Sequence, residues 1–330
     1  EGFRDILHIG RHKRPYNFSL HFDVPWQSQP LVKRRNRIAV AERILPPTGA
    51  IATPLDEAAV RAACAVFRKR GINSVVIGFM FAFLNDAHEQ RAKEIVLEEM
   101  PDAYVTLSSE VAKVMREYER FSTAAMNSYV GPKTAFYLRD LDARLREAGV
   151  TSKLRIMQSN GGVSTVDACA RRPIRILMSG PAGGVIGGAS EGAMAGEANI
   201  ITVDIGGTSA DISTIPGGAV KIMNPRDTYV SGHPVLTPMI DLITIGAGGG
   251  SIAFIDEAGA FHVGPASAGS EPGPACYGRG GTQPTVTDAQ IVLGRLDPDM
   301  ALGGDLKLDA SLSHKAIEEK IARPMGMTVK

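Results

Sequence analysis

The stretch VDIGGTSADIS at 203–213 decides the fold of this 330-residue chain. It continues the β-prone run NIITVDI (199–205), which predicts a buried strand that ends at a glycine pair. Glycine has no Cβ, so the N–H groups of such a turn can come close to an anion. A strand followed by a glycine turn is therefore typical of phosphate-binding loops. A plain β-hairpin with Gly206-Gly207 as its turn is the alternative interpretation.

Polar residues flank this glycine pair in a pattern that suits a phosphate group and its metal ion. Asp204 lies at the predicted strand end, where a carboxylate is costly to bury unless a cation or hydrogen bonds compensate. Thr208 and Ser209 supply hydroxyl groups. Asp211 could hold a magnesium-bound water, because Mg²⁺ prefers oxygen ligands and keeps several waters. The stretch therefore predicts a phosphate loop over 204–211.

Strands and helices are predicted along most of the chain. Three further β-prone runs end in small residues and glycine: LRIMQ (154–158), IRILM (174–178) and DLITI (241–245). Upstream, the predicted order is a helix ended by Gly71, a strand over 73–83, a helix over 86–100 and a strand over 103–107. Long helices broken at Gly131-Pro132 follow up to residue 149, whereas residues 1–45 are predicted to be extended. This alternation indicates an α/β protein with mixed sheets flanked by helices.

Two glycine segments near the phosphate loop have more than one interpretation. SGPAGGVIGG (179–188) is not a Walker A loop, because no Lys-Ser/Thr pair follows, but it could bind phosphate through backbone N–H groups or pack a helix closely. GAGGGS (246–251) is close to a dinucleotide fingerprint, yet the acidic residue expected about twenty residues later is missing. Gly248 and Gly249 in this segment are predicted to be cofactor-binding residues.

Residues 263–281 (VGPASAGSEPGPACYGRGG) are so rich in Gly, Pro and Ala that neither helix nor strand is predicted, and long loops of this kind tend to be functional. Three side chains near these loops are candidates with plainer alternatives. His233 is a candidate metal ligand or an ordinary loop histidine. Cys276 is a candidate nucleophile without an identifiable base, and Asp288 is predicted to cap a helix.

Composition excludes several classes of function. With 36 basic and 35 acidic residues the net charge is +1, which gives no electrostatic attraction for nucleic acid or an anionic membrane. No apolar run reaches the roughly 18–20 residues of a membrane span, and the N-terminus has no apolar signal core. Three widely spaced cysteines predict neither a disulfide framework nor a zinc site, so a cytoplasmic location is expected. Arg171 and Arg172 are expected to be surface charges, and contact with a substrate is the second interpretation.

Taken together, a series of stretches resembles the hydantoinase A/oxoprolinase family, which includes N-methylhydantoinase A, 5-oxoprolinase and the ATP-binding subunit of acetone carboxylase. In family order they are GFRDILHIGR, EYERFSTAAMNSYVGP, MQSNGGV, RRPIRILMSGPAGGVIGG, VDIGGTSADIS, IDLITIGAGGGSIAFID, VGPASAGSEPGPACYGRGG and PTVTDAQIVLGRLDP. Each stretch alone is weak evidence for the family, but the whole series in this order is specific for it. The family's first DxGGTxTD loop and its later adenosine-contacting segment are not in the sequence, which predicts a fragment.

The resemblance implies an incomplete actin-like ATPase (ribonuclease H-like) fold, in which two α/β domains close on ATP and Mg²⁺. It divides the chain into an N-terminal-type region at 1–165 and a hydantoinase A-type domain at 166–330, whose residues 204–211 match the family's second phosphate loop. By this resemblance Asp204 and Asp211 are catalytic and orient Mg²⁺ or its waters. The residues that would cradle phosphate are Gly206, Gly207, Thr208 and Ser209.

The implied reaction is the ATP-dependent hydrolysis of a cyclic amide such as 5-oxoproline, a hydantoin or a lactam. The amide oxygen would take the γ-phosphoryl group, which makes the ring carbon electrophilic. A hydantoinase B-type subunit is the expected partner, and a homo-oligomer is also allowed. Three alternatives stay open: a ketone carboxylase subunit of the acetone carboxylase type, a small-molecule kinase of the same superfamily, and a nucleotide-binding interaction protein without turnover.

Overall fold

The computed structural model describes residues 3–11, 25–299 and 306–329. Within these ranges the α-helices are α1 (Ile6–Ile9), α2 (Pro25–Ser28), α3 (Glu57–Lys69), α4 (Ala87–Glu99), α5 (Ser108–Val111), α6 (Glu117–Glu147), α7 (Val166–Arg171), α8 (Ser179–Met194), α9 (Val286–Val292) and α10 (Ala310–Ile317). The strands are β1 (Arg43–Leu45), β2 (Ala50–Thr53), β3 (Ser74–Ile77), β4 (Tyr104–Leu107), β5 (Arg155–Met157), β6 (Val163–Thr165), β7 (Ile200–Ile205), β8 (Ala210–Ile215), β9 (Tyr229–Val230), β10 (His233–Pro234), β11 (Ile243–Ile245), β12 (Ser251–Ile255) and β13 (Phe261–Ser267). No helix in these ranges is long and apolar enough to cross a membrane.

The chain is a mixed α/β protein that divides into two compact units. The first consists of Glu1–Gly183 and Ile222–Ile240, and the second of Gly184–Lys221 and Asp241–Lys330. Each unit has its own cluster of buried apolar side chains.

The core of the first unit is a parallel pair of strands, β3 and β4, packed against α3 and α4. The buried side chains of these elements form one cluster: Val60, Cys64, Val75, Ile77, Ala92, Ile95, Val96, Met100 and Leu107. The strand predicted over 73–83 is confirmed only for its first half. It ends at Ile77 because the backbone N–H of Phe79 donates to the buried Glu89 carboxylate (2.9 Å) and not to a strand partner.

Helix α6 runs from Glu117 to Glu147 without interruption, so the predicted break at Gly131-Pro132 is wrong. Pro132 has no N–H and leaves the carbonyl oxygen of Ser128 without its helical donor. The hydroxyl of Ser74 in β3 donates to this carbonyl at 2.7 Å. Tertiary contacts therefore stabilise a helix that the local sequence disfavours.

Two other parts of the first unit also differ from the predictions. IRILM (174–178) is not a strand, because Pro173–Ile176 form a 3-10 turn and α8 follows. Oδ1 of the buried Asn127 accepts the N–H of Ile174 (3.2 Å), which is then not free for strand pairing. The region 1–45 contains the short helices α1 and α2 as well as β1, and its residues 12–24 lie outside the described residues.

The second unit contains an antiparallel sheet in the order β11-β8-β7. Helix α8 packs closely on one face of this sheet, since a Cβ at Gly188 would lie 2.5 Å from Cγ2 of Thr202. This supports the helix-packing interpretation of the glycine segment 179–188. The opposite face leaves Ile201 and Ile205 68% and 69% exposed. The prediction of a buried strand is therefore wrong, because the described residues cover only one face of β7.

The predicted irregular loop at 263–281 begins in regular structure, because β13 pairs with β12 and extends to Ser267. The pairing register shifts between Ser251 and Ala253, opposite the part of β13 that contains Pro265. Proline is tolerated in a strand at such irregularities because its missing N–H is not needed there. The rest of the segment packs with α9 and α10 around a small core of Cys276, Ile291 and Leu308.

Candidate functional site

The hairpin formed by β7 and β8 places the two predicted catalytic carboxylates opposite each other. Asp204 and Asp211 are paired across the hairpin, so their side chains lie on the same face of the sheet. The side chain of Asp204 is exposed and accepts no hydrogen bond within the described residues. Asp211 is half-buried, and its Oδ1 accepts a hydrogen bond from the hydroxyl of Thr244 in β11. The end of the hairpin therefore presents one unpaired carboxylate and one that is held in place.

The loop of this hairpin, 206–209, is closed by a hydrogen bond from the N–H of Gly206 to the carbonyl of Ser209 (2.8 Å). The N–H groups of Gly207, Thr208 and Ser209 have no acceptor within the described parts of the chain. A Cβ at Gly207 would meet no atom within 4 Å, so the loop is open on that side. Unpaired N–H groups in an open turn are what an anion requires. The structure thus contains the β-hairpin of the alternative interpretation, and phosphate binding by its loop stays a prediction.

A second glycine segment, 246–250, fixes the shape of this loop. The N–H groups of Gly249 and Gly250 donate to the carbonyl oxygens of Gly206 and Gly207 at 3.0 and 2.6 Å. These bonds turn the loop carbonyls toward the second segment. A strand, β12, follows the segment directly, and not the helix that a dinucleotide fingerprint would open.

Glycine is required in this second segment by the closeness of the two backbones. A Cβ at Gly248 would lie 2.7 Å from the carbonyl oxygen of Gly206. The N–H of Gly248 donates to Oγ of Ser251 (2.8 Å), and the N–H of Gly249 donates to the carbonyl oxygen of Gly206. Gly248 and Gly249 therefore shape the loop through contacts within the protein. Their direct contact with a cofactor stays a prediction.

Two hydroxyl residues that the sequence analysis did not identify contact the hairpin loop and the second glycine segment. Oγ of Ser267 in β13 lies 3.3 Å from Oγ1 of Thr208. Thr287 in α9 donates both its N–H and its hydroxyl to the carbonyl of Gly249, each at 2.8 Å. These partners lie 59 and 38 residues from the residues they contact, and neither is part of a local pattern. The sequence feature that could have identified Ser267 and Thr287 is their position in the family-like stretches VGPASAG and PTVTDAQ.

The oxygen atoms at the end of the hairpin fit a Mg²⁺ ion that has few protein ligands. Such ions are commonly held by one or two carboxylates together with waters and phosphate oxygens, and Asp204 and Asp211 can supply the carboxylates. No group of three or more His, Cys, Asp or Glu side chains suited to a metal occurs in the described part of the chain. His233 lies in the other unit, where burial lowers its pKa. Among the described residues His233 belongs to no group of three or more candidate metal ligands.

The candidate nucleophile Cys276 is buried, and burial together with the nearby Asp288 carboxylate raises the pKa of its thiol to about 12. The reactive form is the thiolate, so this cysteine is a packing residue. Asp288 is fully buried and accepts the N–H groups of Cys276 and Thr285, both at 2.9 Å. With Thr285 as the N-cap it forms a capping box at the start of α9, which confirms its predicted capping role.

Comparison with known proteins places these features in a family. The Hydantoinase/oxoprolinase profile matches residues 120–330, and the Hydantoinase/oxoprolinase N-terminal region profile matches residues 1–100. Caprolactamase subunit alpha from Pseudomonas jessenii is 41% identical over 91% of this chain and 42% of its own length. The crystal structure of the ATP-dependent caprolactamase from that organism is 38% identical with a TM-score of 0.75, and the match covers 100% of this chain and 47% of that one.

Two other similar proteins are acetone carboxylase and a 5-oxoprolinase. The nucleotide-free structure of acetone carboxylase has a TM-score of 0.85 at 31% identity, over 100% of this chain and 47% of that one. The 5-oxoprolinase from Saccharomyces cerevisiae is 37% identical over 74% of this chain and 18% of its own length. The chain thus spans about half or less of the length of these relatives. The profile matches, which extend over most of the sequence, show that the chain belongs to the hydantoinase/oxoprolinase family.

Proposed function

We propose that this chain forms part of the ATP-binding subunit of an ATP-dependent cyclic amidohydrolase, and that it has an actin-like ATPase fold. The observation that carries the proposal is the loop 206–209, whose N–H groups have no acceptor within the described residues and whose shape a second glycine segment fixes. Relatives named ATP-dependent caprolactamase and 5-oxoprolinase support ATP as the nucleotide and a cyclic amide as the substrate class.

The residues of the hairpin would act by positioning and by neutralising charge, which is most of what phosphoryl transfer requires. The N–H groups of Gly207, Thr208 and Ser209 would donate to phosphate oxygens. Asp204 and Asp211 would hold Mg²⁺ or its bound waters, with Asp211 oriented by its hydrogen bond from Thr244. When bound, ATP would supply the phosphoryl group that activates the amide oxygen.

The test compares Asp204→Asn with Glu257→Gln, which removes another exposed carboxylate of the same unit. Because the side chain of Asp204 is exposed and makes no hydrogen bond within the described residues, its substitution should leave the fold intact. We expect Asp204→Asn to weaken MgATP binding to this chain by roughly tenfold or more, the scale of one lost charged contact. ATP binding without Mg²⁺ should change little, and Glu257→Gln should behave as wild type. Unchanged ATP turnover by Asp204→Asn in the full-length gene product would show the assignment to be wrong.

The substrate class is tested by ATP turnover of the full-length gene product with 5-oxoproline, hydantoin, a lactam, and acetone with bicarbonate. Turnover coupled to opening of one cyclic amide supports the proposal. A ketone carboxylase subunit is the second candidate, because acetone carboxylase gives the higher TM-score, 0.85 against 0.75 for caprolactamase. ATP turnover that requires both ketone and bicarbonate would favour that candidate and exclude the amidohydrolase.

We also propose a hydantoinase B-type subunit as partner. Relatives of this chain are named as subunits, among them caprolactamase subunit alpha. Co-expression of the full-length gene product with a B-type subunit should yield a stable complex on gel filtration. Separate elution of the two proteins, in the presence and absence of MgATP, would contradict the partnership.

A further inference from the structure

The first unit contains a polar cavity of about 190 Å³, well above the roughly 10–15 Å³ that one water molecule requires. It lies where α7 meets the hairpin of β5 and β6. Its charged and hydrogen-bonding side chains are Gln158, Ser164, Arg171, Arg172 and Arg175. Three arginines therefore line one small space.

None of the three arginines has a carboxylate within ion-pair distance among the described residues. Elsewhere in the same unit arginines are paired, as Arg91 is with Glu57 at 2.8 Å. Arg172 is half-buried, and burial together with the like charges of Arg175 and Arg171 lowers the pKa of its guanidinium, against an opposing effect of the Glu110 carboxylate. Glu110 lies beyond ion-pair distance of Arg172 and is itself paired with Lys93 at 3.1 Å. Among the described residues the three like charges therefore have no direct negative partner, which is a costly arrangement.

The backbone that carries these arginines is held by side chains of other elements. Oη of Tyr104 donates to the carbonyl oxygens of Ala170 and Arg171 at 2.9 and 3.2 Å. The fully buried Asn127 in α6 accepts the N–H of Ile174 (3.2 Å). The backbone of the arginine segment therefore has a fixed shape, which keeps the three arginines next to one another.

The same helix makes room for the tyrosine that holds this segment. A Cβ at Gly131 would lie 2.2 Å from Cε1 of the Tyr104 ring. The stretch NSYVGP in α6 thus serves, through Asn127 and Gly131, to position the arginine segment. A support built from separate elements indicates a formed site and not a chance cluster of surface charges.

We propose that this cavity is a binding site for a small oxyanion, a carboxylate or phosphate group of a ligand. Guanidinium groups bind both anions with paired N–H donors, and more than one can engage the same oxyanion. Gln158 and Ser164 add neutral hydrogen-bonding groups to the same wall. The site consists only of residues of the first unit and does not depend on the proposed role of the hairpin loop in the second.

The experiment titrates this chain with inorganic phosphate and, separately, with acetate, and follows binding by calorimetry. Arg172→Gln removes the half-buried charge, and Arg155→Gln removes an exposed arginine of the adjacent strand β5 that does not line the cavity. We expect Arg172→Gln to weaken binding by at least roughly tenfold, or about 1.4 kcal/mol. Arg155→Gln should bind as wild type does. Circular dichroism checks the fold, and the exposed Arg175→Gln serves as a second variant if Arg172→Gln unfolds.

The outcomes separate the two sources of the oxyanion. Phosphate binding that the arginine variant abolishes, without competition by acetate, indicates a nucleotide or another phosphorylated ligand. Competition by acetate indicates a carboxylate. Because the loop 206–209 would also take phosphate under the proposed function, Asp204→Asn is titrated in parallel and should leave the arginine-dependent binding unchanged. The inference is overturned if neither anion binds saturably, or if Arg155→Gln and Arg172→Gln weaken binding equally.

Discussion

A Cβ atom at Gly248 would lie 2.7 Å from the carbonyl oxygen of Gly206, which is closer than Cβ atoms approach non-bonded heavy atoms in proteins. This closeness lets the adjacent Gly249 donate its N–H to the same oxygen at 3.0 Å. The carbonyls of Gly206 and Gly207 thereby have partners within the protein, whereas the N–H groups of residues 207–209 have none among the described residues. The shape of the candidate phosphate loop thus depends on a residue outside it.

Gly248→Ala is expected to destabilise the second unit and to weaken nucleotide binding. The added methyl group must push the two backbones apart, and overpacking of this kind costs about 1–3 kcal/mol. Chemical denaturation measures the stability, and titration with MgATP measures binding. Gly207→Ala is the control for stability, because its Cβ would meet no atom within 4 Å. Equal stability of the two variants would show that the close approach does not exist in solution.

Two adjacent glycines of α8 should respond to alanine in opposite directions. A Cβ at Gly187 would point into open space, so Gly187→Ala should raise the free energy of unfolding by up to about 1 kcal/mol through helix propensity. A Cβ at Gly188 would lie 2.5 Å from Cγ2 of Thr202, so Gly188→Ala should lower it. Urea denaturation of both variants makes the comparison. A gain in stability for both would contradict the packing of α8 on the sheet.

The sequence predicted elements best where one local signal was enough. The helix ended by Gly71 and the strand before the glycine pair at 206 are both present, because periodicity and glycine act locally. The strand predicted at 174–178 failed, because a buried amide from α6 captures the N–H of Ile174. The residues of that contact lie 47 apart in the chain, and nothing in the local pattern indicates it.

The candidate site could be predicted only in part for the same reason. The opposed carboxylates of Asp204 and Asp211 follow from the turn length between two strands. The contact between the glycine segment 246–250 and the hairpin loop does not, since it depends on how β11 pairs with β8. Backbone-to-backbone contacts leave no trace in the sequence except a requirement for glycine, which helix packing and turns share.

The stability of the second unit is expected to fall in alkali because of Cys276. Its thiol has a pKa raised from 9.0 to about 12 in the folded state, so between these values the unfolded state has released a proton that the folded state retains. The contribution to stability is therefore complete below pH 9 and is lost as the pH rises toward 12. Denaturation of wild type and Cys276→Ala between pH 7.5 and 11 checks this. The difference between them should be constant below about pH 8 and shrink above about pH 9. Parallel curves across the range would contradict the buried thiol.

The last prediction concerns Ser74, whose hydroxyl replaces the N–H that Pro132 lacks in α6. With proline present, Ser74→Ala leaves the buried carbonyl of Ser128 without a donor, and an unsatisfied buried acceptor costs about 1–3 kcal/mol. In a Pro132→Ala background the helix supplies its own N–H at residue 132, so Ser74→Ala should cost much less. A double-mutant cycle by urea denaturation measures the coupling, which we expect to be about 1 kcal/mol or more. Additive effects would mean that Ser74 does not compensate for the proline, and that α6 must tolerate Pro132 by another contact.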